Sequence, residues 1–274
     1  MNIESPPDPT RTPAFRKLCR LAGRAIGDFR MIPAGSRLLV GLSGGKDSLT
    51  LAHVLTALRR RSPVPFDLEF AFFNPGFPGF GAEKLRAYAA EAGWPLRETG
   101  LDMPAILAEK KMAAPCVLCS RLRRGLLYRL AAERGCDRLA LGQHLDDAIA
   151  SFFMSLTRGQ GLTTMGANVR AKAAPVRVIR PLIYAPEALI VEAAAAFHYP
   201  ACGDCPYRGE LAERGDRAYF RRLADDLTRR MPHFRRQMLH SLQRVETDYL
   251  LDPRFLSFDD DPPTEVPPCG PTNG

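Results

Sequence analysis

The stretch GLSGGKDSLT at residues 41–50 contains residue types that bind phosphate groups. It follows the apolar residues 38–40, so we expect a buried strand that ends in a tight Gly-Gly turn and passes into a helix. Such a turn directs backbone N–H groups and the positive end of the helix dipole at one point, where an anion binds. The predicted phosphate loop consists of Ser43, Gly44, Gly45, Lys46, Asp47 and Ser48. We expect Asp47 also to help hold Mg²⁺ on the phosphates.

The common phosphate-loop patterns do not match this stretch. A Walker A loop has a longer interval between its glycines than the one from Gly41 to Gly45, and no aspartate follows its lysine. The glycine spacing of the dinucleotide-binding fingerprint also differs from the spacing in this stretch. Any single Ser or Asp here has the alternative role of capping a helix. Capping alone does not account for all six residues together.

Four of the seven cysteines form two Cys-x-x-Cys pairs, Cys116 with Cys119 and Cys202 with Cys205. Residues 1–13 are polar and proline-rich, with no signal-peptide or membrane-span pattern, so we expect a cytoplasmic protein with no membrane partner. Disulfides are rare in that compartment, and paired cysteines there indicate metal or redox chemistry. The spacing by itself is typical of a structural zinc site with four thiolates. Thiolates also suit an iron-sulfur cluster.

The charge of the chain favours a polyanionic partner. The net charge is +8 and the isoelectric point is about 9.3. The residues RLRR at 121–124 follow the first cysteine pair, and at helical spacing Arg121 and Arg124 share a face while Arg123 points elsewhere. Phosphate contacts by such arginines would bind a nucleic acid. A solvated basic surface is the alternative.

Strands alternate with helices through the first two thirds of the chain. Strands are predicted at 37–42, from 67, at 95–99 and from 137, and helices at 15–29, 46–61, 82–92, about 120–134 and 146–157. Alternation of this kind predicts an α/β fold with a doubly wound parallel sheet, flanked by N- and C-terminal helices. After residue 186 we expect helices only.

Polar residues follow two of these strands. Ligands of open α/β sheets bind at the carboxyl edge of the strands, so the residues GQHLDD at 142–147 and the aromatic end of the second strand are candidates. From them we select Gly142, His144, Asp147 and Phe73 as ATP contacts, with Asp146 as a further candidate. A buried structural role for His144, a helix cap at Asp146 and a core role for Phe73 are the alternatives.

The hexapeptide SGGKDS resembles the signature of the PP-loop ATP pyrophosphatases, which have an adenine nucleotide alpha hydrolase-like, Rossmann-like fold. The stretches PCVLCSRLRRGLLYRLAAERG from residue 115 and LALGQHLDDAIASFFMSL from residue 139 resemble the tRNA 2-thiocytidine biosynthesis family. So do GRAIGDFRMIPAG, NPGFPG, VIRPLIY and SLQRVETDYLLDPRF, and the resemblance extends over roughly residues 15–258.

This resemblance implies an ATP- and Mg²⁺-dependent tRNA thiolase. The enzyme adenylates the C2 oxygen of a cytidine in the anticodon loop, and sulfur carried by a 4Fe-4S cluster then displaces AMP. Three cysteines hold the family's cluster and leave one iron open. Cys116 and Cys119 match the first two ligands, and Cys202 and Cys205 both lie at the place of the third. The residues CPYR from Cys205 resemble the sequence of 2-thiouridine synthetases. Ligation by all four cysteines would leave the cluster without an open iron.

Catalytic residues follow from this resemblance, and tRNA contacts follow from the basic clusters of the sequence. Asp47, Cys116 and Cys119 are the predicted catalytic residues. The predicted tRNA contacts are Arg121, Arg123, Arg124, Arg221 and Arg222, with Lys110, Lys111, Arg235 and Arg236 as further candidates. The predicted partners are tRNA and a sulfur donor such as a cysteine desulfurase, and a homodimer is compatible with the sequence.

The order of the predicted elements and motifs indicates a domain organisation. We predict a tail and basic helix at 1–34, a PP-loop catalytic domain at 35–185, a helical region with the second cysteine pair at 186–250, and a disordered tail at 251–274. Three alternatives stay open: a 2-thiouridine thiolase, another PP-loop ligase with a structural zinc, and a non-catalytic RNA-binding protein that retains the loop.

Overall fold

A computed structural model describes residues 8–110, 115–202, 206–207 and 215–255. Cys205, Lys111 and residues 256–274 of the predicted tail lie outside this described part. The α-helices are α1 Pro13–Asp28, α2 Lys46–Arg59, α3 Ala82–Glu91, α4 Met103–Lys110, α5 Pro115–Glu133, α6 Leu145–Thr157, α7 Glu187–Ala194, α8 Asp216–Arg230 and α9 Phe234–Gln243. The strands are β1 Arg37–Leu42, β2 Asp67–Asn74, β3 Leu96–Gly100, β4 Arg138–Ala140, β5 Asn168–Arg170 and β6 Arg177–Ile179. Short 3-10 turns lie at Pro9–Arg11, Thr247–Tyr249 and Pro253–Phe255.

The strands form one sheet in the order β3-β2-β1-β4-β6-β5. All neighbours are parallel except β5, which runs antiparallel to β6 at the edge. The predicted α/β fold is therefore confirmed. The sequence analysis missed β5 and β6, because strands of three residues are too short to show an alternating pattern.

Helices cover both faces of the sheet, since successive side chains of a strand point to opposite sides. Leu38, Val40 and Leu42 of β1 pack into a cluster with α1, α2 and α7. Leu39, between them, packs on the other face with Leu127 of α5. Burial on both faces explains why β1 has a nearly continuous apolar sequence.

Helix α5 begins earlier than expected. The sequence predicted a helix from about Ser120, but α5 starts at Pro115, and the missed helix α4 precedes it. Proline is favourable in the first turn of a helix, where its missing N–H is not needed. Cys116 and Cys119 therefore lie in the first turn of α5, on one helical face.

The C-terminal helices pack on α6. The rings of Phe220 in α8 and Phe234 in α9 lie 5.9 and 6.4 Å from Phe153 of α6, and Ala224 is fully covered in the same cluster. Leu145, the first residue of α6, belongs to the same cluster, so α8 and α9 also lie beside the N-terminus of α6. No helix in the described part of the chain is long and apolar enough to cross a membrane.

Candidate active site

The loop between β1 and α2 forms the centre of the site. The backbone N–H of Ser43 donates to Oγ of Ser48 over 3.0 Å, and that hydroxyl donates to the carbonyl of Gly45 over 2.9 Å. These bonds hold the loop at the N-terminus of α2. The structure therefore has the strand, turn and helix start that the sequence predicted for an anion site.

Cys202 lies directly against this loop. Gly44 has a φ of +77°, and a Cβ built on it would lie 2.8 Å from the Cβ and 2.9 Å from the Sγ of Cys202. The glycine is needed for its left-handed backbone and for this close approach. A thiol therefore touches the loop that we expect to bind phosphate, although 158 positions separate the two residues in the sequence.

We predict that Gly44→Ala destabilises the protein more than Gly79→Ala. Both glycines have a φ of +77°, but nothing lies within 4 Å of a Cβ built on Gly79. Left-handed backbone costs an L-residue about 1–2 kcal/mol, so both variants lose that amount. The contact with Cys202 adds at least about 1 kcal/mol for Gly44→Ala, since overpacking has such a cost. Urea unfolding of both variants measures the difference, and equal losses would contradict the contact.

The loop between β4 and α6 approaches the same point. A Cβ on Gly142 would lie 2.8 Å from the backbone carbonyl of Asp47, so only glycine allows this approach. The approach brings His144 to the first turn of α2. Its ring is fully buried, with Nε2 4.0 Å from Asp47 and 3.5 Å from Asp147, and Nδ1 3.7 Å from Asp146. Burial alone would lower the pKa of His144, but the surrounding carboxylates outweigh burial and raise it.

Two arginines from the C-terminal helices pair with the adjacent aspartates. Nη2 of Arg221 in α8 lies 2.5 Å from Asp147, and Nε of Arg235 in α9 lies 2.5 Å from Asp146. Burial would raise the pKa of each carboxyl, but the neighbouring cations outweigh burial and lower both values. Both aspartates are therefore ionised at neutral pH.

Each aspartate also fixes a helix start. Asp147 accepts the backbone N–H of His144, which lies just before α6, over 3.2 Å. Asp146 accepts the backbone N–H of Glu187, the first residue of α7, over 2.7 Å. The helix-capping role considered for Asp146 thus applies to α7, a helix 41 positions further along. This bond places Glu187 at the site.

Glu187 connects the phosphate loop to α8. Its Oε1 accepts from Nζ of Lys46 over 2.7 Å, and its Oε2 lies 3.4 Å from Nη1 of Arg221. Nζ of Lys46 also lies 2.9 Å from Asp47. Burial would lower the pKa of Lys46, but its contacts with Glu187 and Asp47 outweigh burial and raise it. The ammonium group of Lys46 thus lies between the carboxylates of Asp47 and Glu187, and Glu187 lies between Lys46 and Arg221.

The cysteines differ in burial. Cys19 and Cys136 are buried, and burial raises the pKa of each to about 11, so these thiols stay protonated at neutral pH. Cys116, Cys119 and Cys202 are half-buried. Helices that connect parallel strands run against the strands, so the first turn of α5 lies at the carboxyl edge of the sheet, as the phosphate loop does. Topology thus places Cys116 and Cys119 at the sheet edge on which Cys202 touches the phosphate loop, and an iron-sulfur cluster held by these thiolates stays a prediction.

The remaining predicted contacts have different surroundings. Arg121, Arg123, Arg124 and Arg222 are exposed, so they are accessible to a large anion. The guanidinium group of Arg221 instead forms ion pairs with Asp147 and Glu187. Phe73 is only 5% exposed, so its side chain is buried near the end of β2. Its contact with ATP and the contacts of these arginines with tRNA stay predictions.

Sequence reasoning missed Glu187 and the roles of Arg221 and Arg235 at this site. Glu187 follows β6, and β6 was not recognised as a strand. A strand assignment for residues 177–179 would have placed the residues after it at the same carboxyl edge as the phosphate loop. No local pattern marks Arg221 or Arg235 among the many arginines of α8 and α9.

Comparison with known proteins places this geometry among nucleotide-dependent tRNA enzymes. A PP-loop domain family, ATP_bind_3, matches residues 118–200. The tRNA-cytidine(32) 2-sulfurtransferase of Syntrophotalea carbinolica is 38% identical over 248 residues, which cover 89% of this chain and 95% of the relative. The protein of the same name from Geobacter metallireducens is 37% identical over 241 residues, covering 87% of this chain and 93% of the relative. Among solved structures, the U34-tRNA thiolase NcsA from Methanococcus maripaludis with its 4Fe-4S cluster is 25% identical, with a TM-score of 0.70 and coverage of 85% of this chain and 80% of that chain.

Proposed function

Because the chain belongs to the tRNA-cytidine(32) 2-sulfurtransferase family, we propose that it is an ATP-dependent tRNA thiolase acting on a cytidine of the anticodon loop. The C2 oxygen of the cytidine attacks the α-phosphorus of ATP and releases pyrophosphate. Sulfur at the oxidation level of sulfide then attacks C2, and AMP leaves with the former oxygen. Sulfur that arrives as a persulfide reaches that level by taking two electrons from a pair of thiols, which become a disulfide. The substrates are tRNA, ATP and a sulfur donor.

The contact between Cys202 and Gly44 carries this proposal. A thiolase must bring sulfur next to C2, the carbon that bears the activated oxygen, and a cluster ligand on the phosphate loop would hold the sulfur carrier close to it. A phosphate-binding loop that only releases pyrophosphate would have no need of a cysteine there. The contact also supports Cys202, rather than Cys205, as the third cluster ligand beside Cys116 and Cys119.

The residues of the chain have distinct tasks in this reaction. Backbone N–H groups at the start of α2 and the hydroxyls of Ser43 and Ser48 bind the phosphates, with Lys46 supplying charge. Asp47 holds Mg²⁺. Buried His144 closes the site behind Asp47. When bound, a cluster with three thiolate ligands provides an open iron that can carry sulfur.

The tRNA is expected to contact the basic surface beside the first cysteine pair. Arg121, Arg123 and Arg124 are exposed on α5 immediately after Cys119. Arginine binds phosphate in a bidentate manner, and its exposure there supports a backbone contact close to the reaction. Each lost phosphate contact should lower the salt slope of tRNA binding by about one. We further propose that a cysteine desulfurase donates the sulfur. A cytoplasmic location and a homodimer are also proposed.

A 2-thiouridine thiolase is the second candidate. The residues CPYR from Cys205 support it, and the solved thiolase with a TM-score of 0.70 is named for U34. The two candidates use the same site and differ in the base that is modified. A third candidate, a PP-loop ligase with structural zinc, differs in its metal.

Two measurements test the proposal. Anaerobically purified protein should contain iron and acid-labile sulfide in about a four-to-four ratio per chain. Expression in a strain whose tRNA lacks 2-thiocytidine should restore that nucleoside, and Cys116→Ala should not. Appearance of 2-thiouridine instead would favour the second candidate. About one zinc per chain without sulfide would favour the third.

A further inference from the structure

The ammonium group of Lys46 lies between two carboxylates. Nζ is 2.9 Å from Oδ1 of Asp47 and 2.7 Å from Oε1 of Glu187. Asp47, Glu187 and His144 each offer one ligand atom, and these atoms all lie within 4.8 Å of one another. The position between the carboxylates is therefore already a cation site, and an ammonium group occupies it.

The imidazole of His144 is a second observation that points to a bound cation. Its side chain is 0% exposed, and neither ring nitrogen has a hydrogen-bond partner within the described ranges. The nearest oxygens, those of three aspartates at 3.5 to 4.0 Å, are too distant for good hydrogen bonds. A buried polar atom without a partner is costly, and such atoms are rare outside functional sites. Nε2 lies 3.5 Å from Asp147 and 4.0 Å from Asp47, and a divalent ion that binds this nitrogen displaces its proton.

We propose that Asp47, Glu187 and His144 form a divalent-cation site that the ammonium group of Lys46 fills until a nucleotide binds. Asp47 was expected to hold Mg²⁺, but nothing in the sequence pointed to Glu187 or to a nitrogen ligand. Two carboxylates suit Mg²⁺ and Mn²⁺, and an imidazole nitrogen is better tolerated by Mn²⁺ than by Mg²⁺. The site should therefore take both ions.

The charged groups around Lys46 explain why a divalent ion would replace its ammonium group when a nucleotide binds. Four carboxylates, those of Asp47, Asp146, Asp147 and Glu187, are paired with the cations of Lys46, Arg221 and Arg235. A nucleotide triphosphate attracts the lysine and arginine of such a site to its own oxygens. Asp47 and Glu187 then lose their cation, and a divalent ion that also binds the phosphates replaces it. The exchange on nucleotide binding rests on the proposed function, whereas the cation site itself does not.

Lys46→Gln tests the site without any nucleotide. Removal of the ammonium group empties the position between the carboxylates, so the full-length variant should bind Mn²⁺ about tenfold more tightly than the wild type. Mn²⁺ binding is measured from the loss of the free-ion signal in electron paramagnetic resonance. Unchanged or weaker binding by Lys46→Gln would overturn the proposal. Tighter binding is also expected if the protein has no thiolase activity, so the two proposals fail separately.

Second substitutions in the Lys46→Gln background identify the ligands. Adding Glu187→Gln should abolish the gain, whereas adding Glu192→Gln, an exposed position on the same helix, should leave it. A directly coordinated imidazole nitrogen modulates the electron spin echo of bound Mn²⁺. That nitrogen signal should disappear with His144→Gln. Retention of the gain without Glu187, or of the signal without His144, would remove that residue from the site.

Discussion

Cys202→Ala should abolish tRNA thiolation. The thiol lies against Gly44 of the phosphate loop, 2.9 Å from a Cβ position there, and we propose it as the third cluster ligand beside Cys116 and Cys119. With two thiolates the cluster is not held, so iron and sulfide content should fall together with 2-thiocytidine formation. We expect at least about a 100-fold loss, since loss of the sulfur carrier leaves no alternative route. Nucleoside analysis of tRNA and metal analysis of the same preparation measure both effects.

Two other cysteines provide matched controls. Cys136→Ala removes a buried thiol of the core and should retain iron, sulfide and activity at slightly lower stability. Cys205→Ala should also retain the cluster, because three ligands leave the open iron that sulfur delivery requires. Loss of the cluster in Cys205→Ala with retention in Cys202→Ala would reverse the assignment.

Arg221→Met should lower the rate of adenylation about 100-fold, a typical effect of misplaced active-site groups. Arg221 pairs with Asp147 and Glu187, and no other residue in the described ranges forms an ion pair with both. Without the guanidinium, the buried carboxylate of Asp147 keeps only the more distant charge of His144, and Glu187 is held by Lys46. The tRNA-dependent formation of AMP and pyrophosphate measures the rate. Arg217→Met, on an exposed position of the same helix, is the control.

The pH profile separates a positioning role of Arg221 from a merely structural one. Burial would raise the pKa of Asp147, but the charges of His144 and Arg221 outweigh it and lower the pKa. Ionised Asp147 is therefore retained until the pH falls through this lowered value. Without Arg221 the pKa rises, so the acid limb of the rate should move to higher pH. Arg221→Lys should restore part of the shift, and an unchanged acid limb in Arg221→Met would contradict the role.

Local sequence determined the parts of the site whose geometry depends on neighbouring residues. The order of an apolar strand, two glycines and a helix start at 38–50 is enough to form an anion site, because backbone dihedrals and hydrogen bonds within a few residues decide it. The two Cys-x-x-Cys pairs likewise indicated metal or redox chemistry. The alternation of strands and helices predicted the α/β sheet, although α4, β5 and β6 were missed and α5 starts earlier than expected.

Only the tertiary structure decided which distant residues meet. Gly44 meets Cys202, Asp147 meets Arg221, and Lys46 meets Glu187, over separations that no periodic pattern records. The packing of Phe153 against Phe220 and Phe234 sets where α8 lies, and so which of its arginines reaches the site. Hydrophobic burial is not directional, so the sequence shows that a helix packs but not on which neighbour. The side-chain contacts of the site follow from that packing, and they became visible only in the folded chain.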